Sequence, residues 1–110
     1  MSLAKSPRYE NKKLTALANG MDCCGCGCSD GTIVMAHSNS HLHGKGKGMK
    51  AHDCFVAALC HRCHAWLDFG TGLLETGRMD WDPIEKDEFF RRAHDETMLT
   101  LWRNGKIKVA

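Results

Sequence analysis

Two cysteine pairs, Cys23/Cys26 and Cys60/Cys63, constrain this chain more than any other feature of its sequence. A C-x-x-C turn presents two sulfurs to one ion, and two such turns complete a tetrahedral four-sulfur zinc site. The segment between them, residues 27–59, is longer than a compact zinc-finger loop. It leaves room for a strand, a loop and a return. A chain of 110 residues is expected to form one small domain, of a size that often leans on a metal or on disulfides. A structural zinc contributes about 10 kcal/mol of folding free energy, comparable with the whole stability of such a domain.

The choice of metal over disulfides follows from the rest of the chain. The stretch MSLAKSPRYENKK lacks the apolar core of a secretory signal, and no apolar run approaches the roughly 18 residues that span a bilayer. The expectation is an intracellular chain with reduced thiols and no membrane partner, and the cysteine count, seven, is odd. Clustered thiols in that setting read as metal ligands. Cys24 and Cys28 are alternatives for the first knuckle, but the pair Cys23/Cys26 is preferred because Gly27 suits a turn after the second ligand. Cys24, Cys28 and Cys54 are expected to have no role. Residues Cys60 to His64 also spell C-x-x-C-H, the haem-attachment motif. Haem is not expected, since its attachment needs export and would leave the upstream pair unexplained.

Hydrophobic residues at 43% and charged residues at 25% suit a globular protein, and a net charge of +2 says little about partners. The distribution of charge says more. Basic residues gather at Lys5, Arg8, Lys12 and Lys13 and again at Lys45, Lys47 and Lys50, and acidic ones between Glu75 and Glu96. Residues 1–10 read as a flexible basic arm and 11–110 as the domain. Asn11 caps a short helix through Asn19, with Gly20 at the stop. Thr32–Ala36 is β-branched and apolar, a strand that runs into His37. The Gly/Lys-rich segment 38–52 is a long loop, of the kind that is usually functional. The apolar run 53–59 leads to a helix over 61–69 that Gly70 ends, and 70–81 is irregular. Asp82-Pro83-Ile84-Glu85 is a helix start. That helix should reach Arg103, with Phe90, Ala93, Thr97, Met98, Leu101 and Trp102 on one face. Asn104-Gly105 closes it, residues 107–109 read as a short strand, and Trp66 and Trp81 as core. The fold class is α+β.

A second constellation lies among the histidines. His64 and Asp68, four apart on a helix, share a face and suit a divalent ion such as Mg, Mn, Ni or a second Zn. The knuckles would bring the end of the strand carrying His37 back beside that helix. A neutral histidine is a fitting base for water at pH 7, and an ion beside it would stabilise charge on a phosphate.

The order C-x-x-C, strand, Ala36-His37, Gly/Lys loop, Asp53, then Cys60-x-x-Cys63-His64-x-x-x-Asp68 resembles the HNH (His-Me finger) nuclease superfamily. More narrowly, AHSN, the GKG loop, K-x-x-D, A-x-LC-x-x-CH and LW-x-x-G-x-I-x-V, spread over residues 20–109, are similar to small phage- and prophage-encoded nucleases. The resemblance implies a zinc-stapled ββα-metal domain with an added C-terminal helix. It implies a metal-dependent DNA endonuclease acting in the bacterial cytoplasm. His37 would be the general base, His64 the helix-borne ligand of the catalytic ion and Asp68 a further ligand. Asp53 stands near the middle Asn of the signature, in a structural role. Many members carry Asp or His directly before the base, where this chain has Ala36. The ion must then draw on His41, His43, the Asn39 amide or His37 itself.

Lys45, Lys47 and Lys50 would hold phosphates without reading sequence. DNA over RNA is implied by the resemblance alone. Two other readings stand beside the enzyme. One is a catalytically inactive zinc-knuckle module that binds nucleic acid. The other is a protein that docks on a phage or host partner through its acidic 75–96 region.

Overall fold

The computed structural model describes residues 8–46, 49–69 and 83–109. These form a small α+β unit built around a two-stranded antiparallel sheet, in the order α1 (Lys12–Ala16), β1 (Val34–His37), a single 3-10 turn (His41–His43), β2 (Val56–Leu59), α2 (His61–Phe69) and α3 (Pro83–Arg103). β1 pairs with β2 in the register Val34↔Leu59, Met35↔Ala58, Ala36↔Ala57 and His37↔Val56.

Asn11 caps α1 as expected, its side chain accepting from the Leu14 N–H at 3.0 Å. The helix ends at Ala16, short of Asn19, because the chain tightens into i→i−3 bonds from Leu17, Ala18 and Asn19. β1 starts two residues later than the apolar run, since Thr32 is taken by a turn. The Thr32 N–H and hydroxyl both donate to Asp30 Oδ1, at 2.9 and 2.6 Å.

All four residues of β2 are fully buried, yet among the described residues only β1 pairs with it. Its outer edge is finished by other groups. The Ala58 N–H donates to Thr97 Oγ1 at 2.9 Å, and the Ala58 carbonyl accepts from the Cys24 N–H at 2.8 Å. His94 Nδ1–H donates to the Val56 carbonyl at 2.7 Å. α3 and the first cysteine turn therefore stand where a third strand would, which satisfies backbone groups that burial would otherwise leave unpaired.

α3 turns the expected face inward at Phe90, Ala93, Thr97 and Leu101, with Met98 half-buried. Trp102 departs from that face. It is 49% exposed and lines a surface groove with Tyr9, Leu14, Leu17, Met98 and Ile107. Residues 107–109 form no strand. The chain turns back at Gly105 and Lys106, whose N–H groups bond to Trp102 and Leu101 carbonyls. Trp66 is buried as expected, edge-on to Phe89 at 5.0 Å between ring centroids. Trp81, the Gly70 stop, the Asp82 cap, the irregular stretch 70–81 and residues 1–7 of the arm lie outside the described residues. No helix among the described residues is long and apolar enough to cross a membrane.

Candidate functional site

Two sites emerge, at opposite ends of the sheet. At one end the sulfurs of Cys23, Cys26, Cys60 and Cys63 all lie within 4.8 Å of one another. Zinc–sulfur bonds of about 2.3 Å in a tetrahedron place sulfurs about 3.8 Å apart, and Cys26 Sγ stands 3.7 Å from Cys60 Sγ. The first turn is shaped for a thiolate. Gly25 and Cys26 both aim backbone N–H groups at Cys23 Sγ from 3.3 Å, and the Gly27 N–H closes the turn on the Cys23 carbonyl at 2.9 Å. Gly27 has φ +84°, a conformation glycine adopts without strain, as its place in the knuckle predicts. The second pair sits at the start of α2, where Cys60 and Cys63 are buried. Burial pushes the Cys63 thiol up, and the neighbouring Cys23 adds to it. Burial also opposes ionisation of Cys26, but the Cys28 backbone and the Cys28, Cys60 and Cys23 thiols outweigh it and bring Cys26 down to about 7. Crowded thiols that resist joint ionisation are what a divalent cation resolves. These four residues fit a structural zinc. The two cysteines of the haem-type motif both belong to this cluster.

At the other end β1, the loop after it and α2 line an open cavity of about 290 Å³. It is lined by Met35, His37, Ser38, Asn39, Lys45, Lys50, His64 and Asp68. His64 Nε2 lies 3.1 Å from Asp68 Oδ2, the one-turn pairing that i and i+4 positions allow. The Asp68 bond raises the pKa of His64 against burial, which lowers it. Burial likewise works against the Asp68 carboxylate, but the bonds from His64 and Asn39 prevail and hold it below its usual range. Asn39 Nδ2 donates to Asp68 Oδ1 at 3.3 Å.

Strand alternation decides what faces this cavity. Met35 and His37 do, whereas Ala36 is fully buried on the opposite face. His43, one of the alternative ion ligands, is turned elsewhere. Its Nδ1 pairs with Ser38 Oγ at 2.6 Å and its ring stacks on Phe55 with centroids 4.1 Å apart. Burial lowers its pKa, and the nearby His94 lowers it further. The side chain of His41 lies outside the described atoms. Asn39 and His37 are the alternatives that line the cavity.

Behind His37 stands a charge cluster whose extent the sequence does not announce. Asp53 is 5% exposed. Its Oδ1 lies 2.7 Å from His37 Nε2 and accepts from Arg8 NH2 at 2.5 Å, while Oδ2 accepts from the Asn11 N–H at 2.6 Å. A carboxylate can only accept, so the His37 ring proton sits on Nε2, and among the described residues no hydrogen bond engages Nδ1. Arg8 NH2 also lies 3.2 Å from His37 Nε2; two donors converge there on one oxygen. Burial works against the Asp53 charge, and the Asn11 N–H, His37 and Arg8 together overcome it and hold the carboxyl below its usual value. Arg8, which belongs to the expected arm, and Asn11 at the start of the domain are thus joined to the site. Arg8 was missed as a site residue because it stands in a run of basic residues. Its one distinguishing signal is being the arginine among lysines, with a fork that suits a carboxylate.

The loop lysines divide. Lys45 and Lys50 line the cavity, and Lys47 lies outside the described residues. The loop is anchored at Gly44, with φ +93°, where a Cβ would come within 2.6 Å of the His52 ring. His52 Nδ1 in turn accepts from the Tyr9 N–H at 2.8 Å. Lys86 of α3, absent from the sequence reading, lies close enough to Asp68 to favour its charge.

The fold and the cysteine cluster define a small α+β domain with a candidate metal centre. The chain belongs to the family described as protein of unknown function (DUF968), whose model matches residues 1–76. No curated protein and no solved structure matches it.

Proposed function

We propose that this protein is a metal-dependent DNA endonuclease of the HNH type, with a zinc-stapled ββα-metal core. The observation that carries the reading is the single cavity onto which His37, Asn39, Lys45, Lys50, His64 and Asp68 converge. His64 and Asp68, joined by Asn39, are the residues that would hold a divalent ion, which would stabilise negative charge on the scissile phosphate and leaving oxygen. His37, with its proton fixed on Nε2 by Asp53, offers Nδ1 as general base. A water proton passes to Nδ1 as the water oxygen bonds to phosphorus. The bond from phosphorus to the leaving oxygen then breaks, and that oxygen takes a proton from solvent. Lys45 and Lys50 hold flanking phosphates, with Lys47 beside them in sequence. Asp53 acts through His37 and positions it. DNA as substrate, and a phage or prophage setting in the bacterial cytoplasm, rest on the sequence resemblance.

The test is a plasmid-nicking assay across Mg, Mn, Ni and Zn, run beside DNA retention on a filter. Cleavage that needs added ion, drops by about 10²–10⁴-fold in His37→Ala and leaves retention intact supports the reading. Equal cleavage in His37→Ala overturns the assignment of the base. Retention without cleavage under every ion favours a binding module that kept the cavity and lost its chemistry.

A further inference from the structure

We propose that the cysteine cluster is binuclear. A second zinc-class ion is held by Cys28, Asp30 and Cys60, with the Cys60 thiolate bridging it to the ion of Cys23, Cys26, Cys60 and Cys63. The ligand atoms of Cys28, Asp30 and Cys60 lie within 4.8 Å of one another. This second group shares Cys60 with the first, so five sulfurs crowd one end of the sheet. A tetrahedral ion uses only four. The surplus sulfur, that of Cys28, lies within 4.8 Å of the Cys60 sulfur and is not a distant bystander. Its backbone is fixed too, since its carbonyl accepts from the Cys23 N–H at 2.8 Å.

Asp30 is set for the same point. Thr32 donates two bonds to Oδ1, at 2.9 and 2.6 Å, which fixes the carboxylate beside Cys28 and Cys60. The Thr32 hydroxyl oxygen also accepts from the His61 N–H at 2.9 Å, which ties the Asp30 turn to the residue after Cys60. Charge favours the arrangement. Four thiolates around one zinc leave a net negative centre, and the Asp30 carboxylate adds to it. A second cation is attracted to that field, and a mixed sulfur and carboxylate set suits zinc. Cys28 is half-buried and Asp30 exposed, so solvent completes the coordination. The inference rests on the four-cysteine zinc reading and is independent of nuclease activity.

The experiment counts zinc on the full chain by native mass spectrometry in a His64→Ala/Asp68→Asn background, which removes the other candidate ion site. Two ions are expected there, falling to one when Cys28→Ser or Asp30→Asn is added, with far-UV circular dichroism unchanged. After exchange with 113Cd, two resonances should become one in Cys28→Ser. A single ion in that background, or a second ion that survives Cys28→Ser, overturns the proposal. A folded protein holding no ion overturns the four-cysteine site with it.

Discussion

Removing the Asp53 carboxylate should loosen the first described residues from the domain. Its oxygens serve Arg8, His37 and the Asn11 N–H, at 2.5, 2.7 and 2.6 Å. Taking one partner from a buried charged cluster costs about 3–5 kcal/mol. Arg8 and His37 keep 23% and 20% side-chain exposure, so water recovers part of that loss. About 3 kcal/mol is therefore expected for Asp53→Ala, or a fall in Tm of roughly 10–20 °C for a domain of this size. Asp53→Asn keeps one acceptor oxygen, turns an NH2 donor on either His37 Nε2–H or the Asn11 N–H, and loses the charge facing Arg8, so a loss of similar size, about 3 kcal/mol, is expected. Urea unfolding of zinc-loaded protein measures both, and a double-mutant cycle with Arg8→Met isolates the ion pair at about 1–2 kcal/mol. The pH dependence has a definite sign. The Asp53 pKa is lowered on folding, so its contribution is full above the ordinary carboxyl value near 4 and is lost as pH falls through the lowered one. The gap between wild type and Asp53→Asn should accordingly close in acid. A cycle energy under about 0.3 kcal/mol at pH 7, or a gap that widens in acid, would refute the argument.

Other consequences are separable from this one. Cys60→Ser, or a strong chelator, should remove the metal and unfold the domain, read by circular dichroism and elemental analysis; a folded, metal-free protein sinks the staple. Thr97→Val leaves the Ala58 N–H buried without its acceptor, at a cost of about 1–3 kcal/mol. Faster hydrogen exchange at the Ala58 amide should accompany it, and unchanged protection there would show that β2 finds another partner. Neutralising Lys45 and Lys50 together should lower the slope of log affinity against log salt by about two, while leaving specificity among DNA sequences unchanged. A slope that does not move places the phosphates elsewhere.

Local chemistry was readable in the chain because it is local. The Asn11 cap, the Gly27 turn, the 61–69 and 83–103 helices and the spacing of the cysteine pairs each depend on neighbours within a few residues. Spacing alone also put His64 and Asp68 on one face. What the chain could not show was which distant groups complete these elements. Side chains on α3 finish the edge of β2, and nothing in the period of α3 distinguishes His94 and Thr97 from ordinary helix positions. The lateness of β1 reflects a Thr32 hydroxyl claimed by Asp30 and His61, a competition that β propensity does not contain. Only tertiary structure chose among the spare thiols, setting Cys28 beside Cys60 while Cys54 stays exposed and outside the cluster. It likewise joined Arg8 to Asp53 across 45 positions, for a contact at that separation is made by the fold and leaves no periodic trace in the sequence.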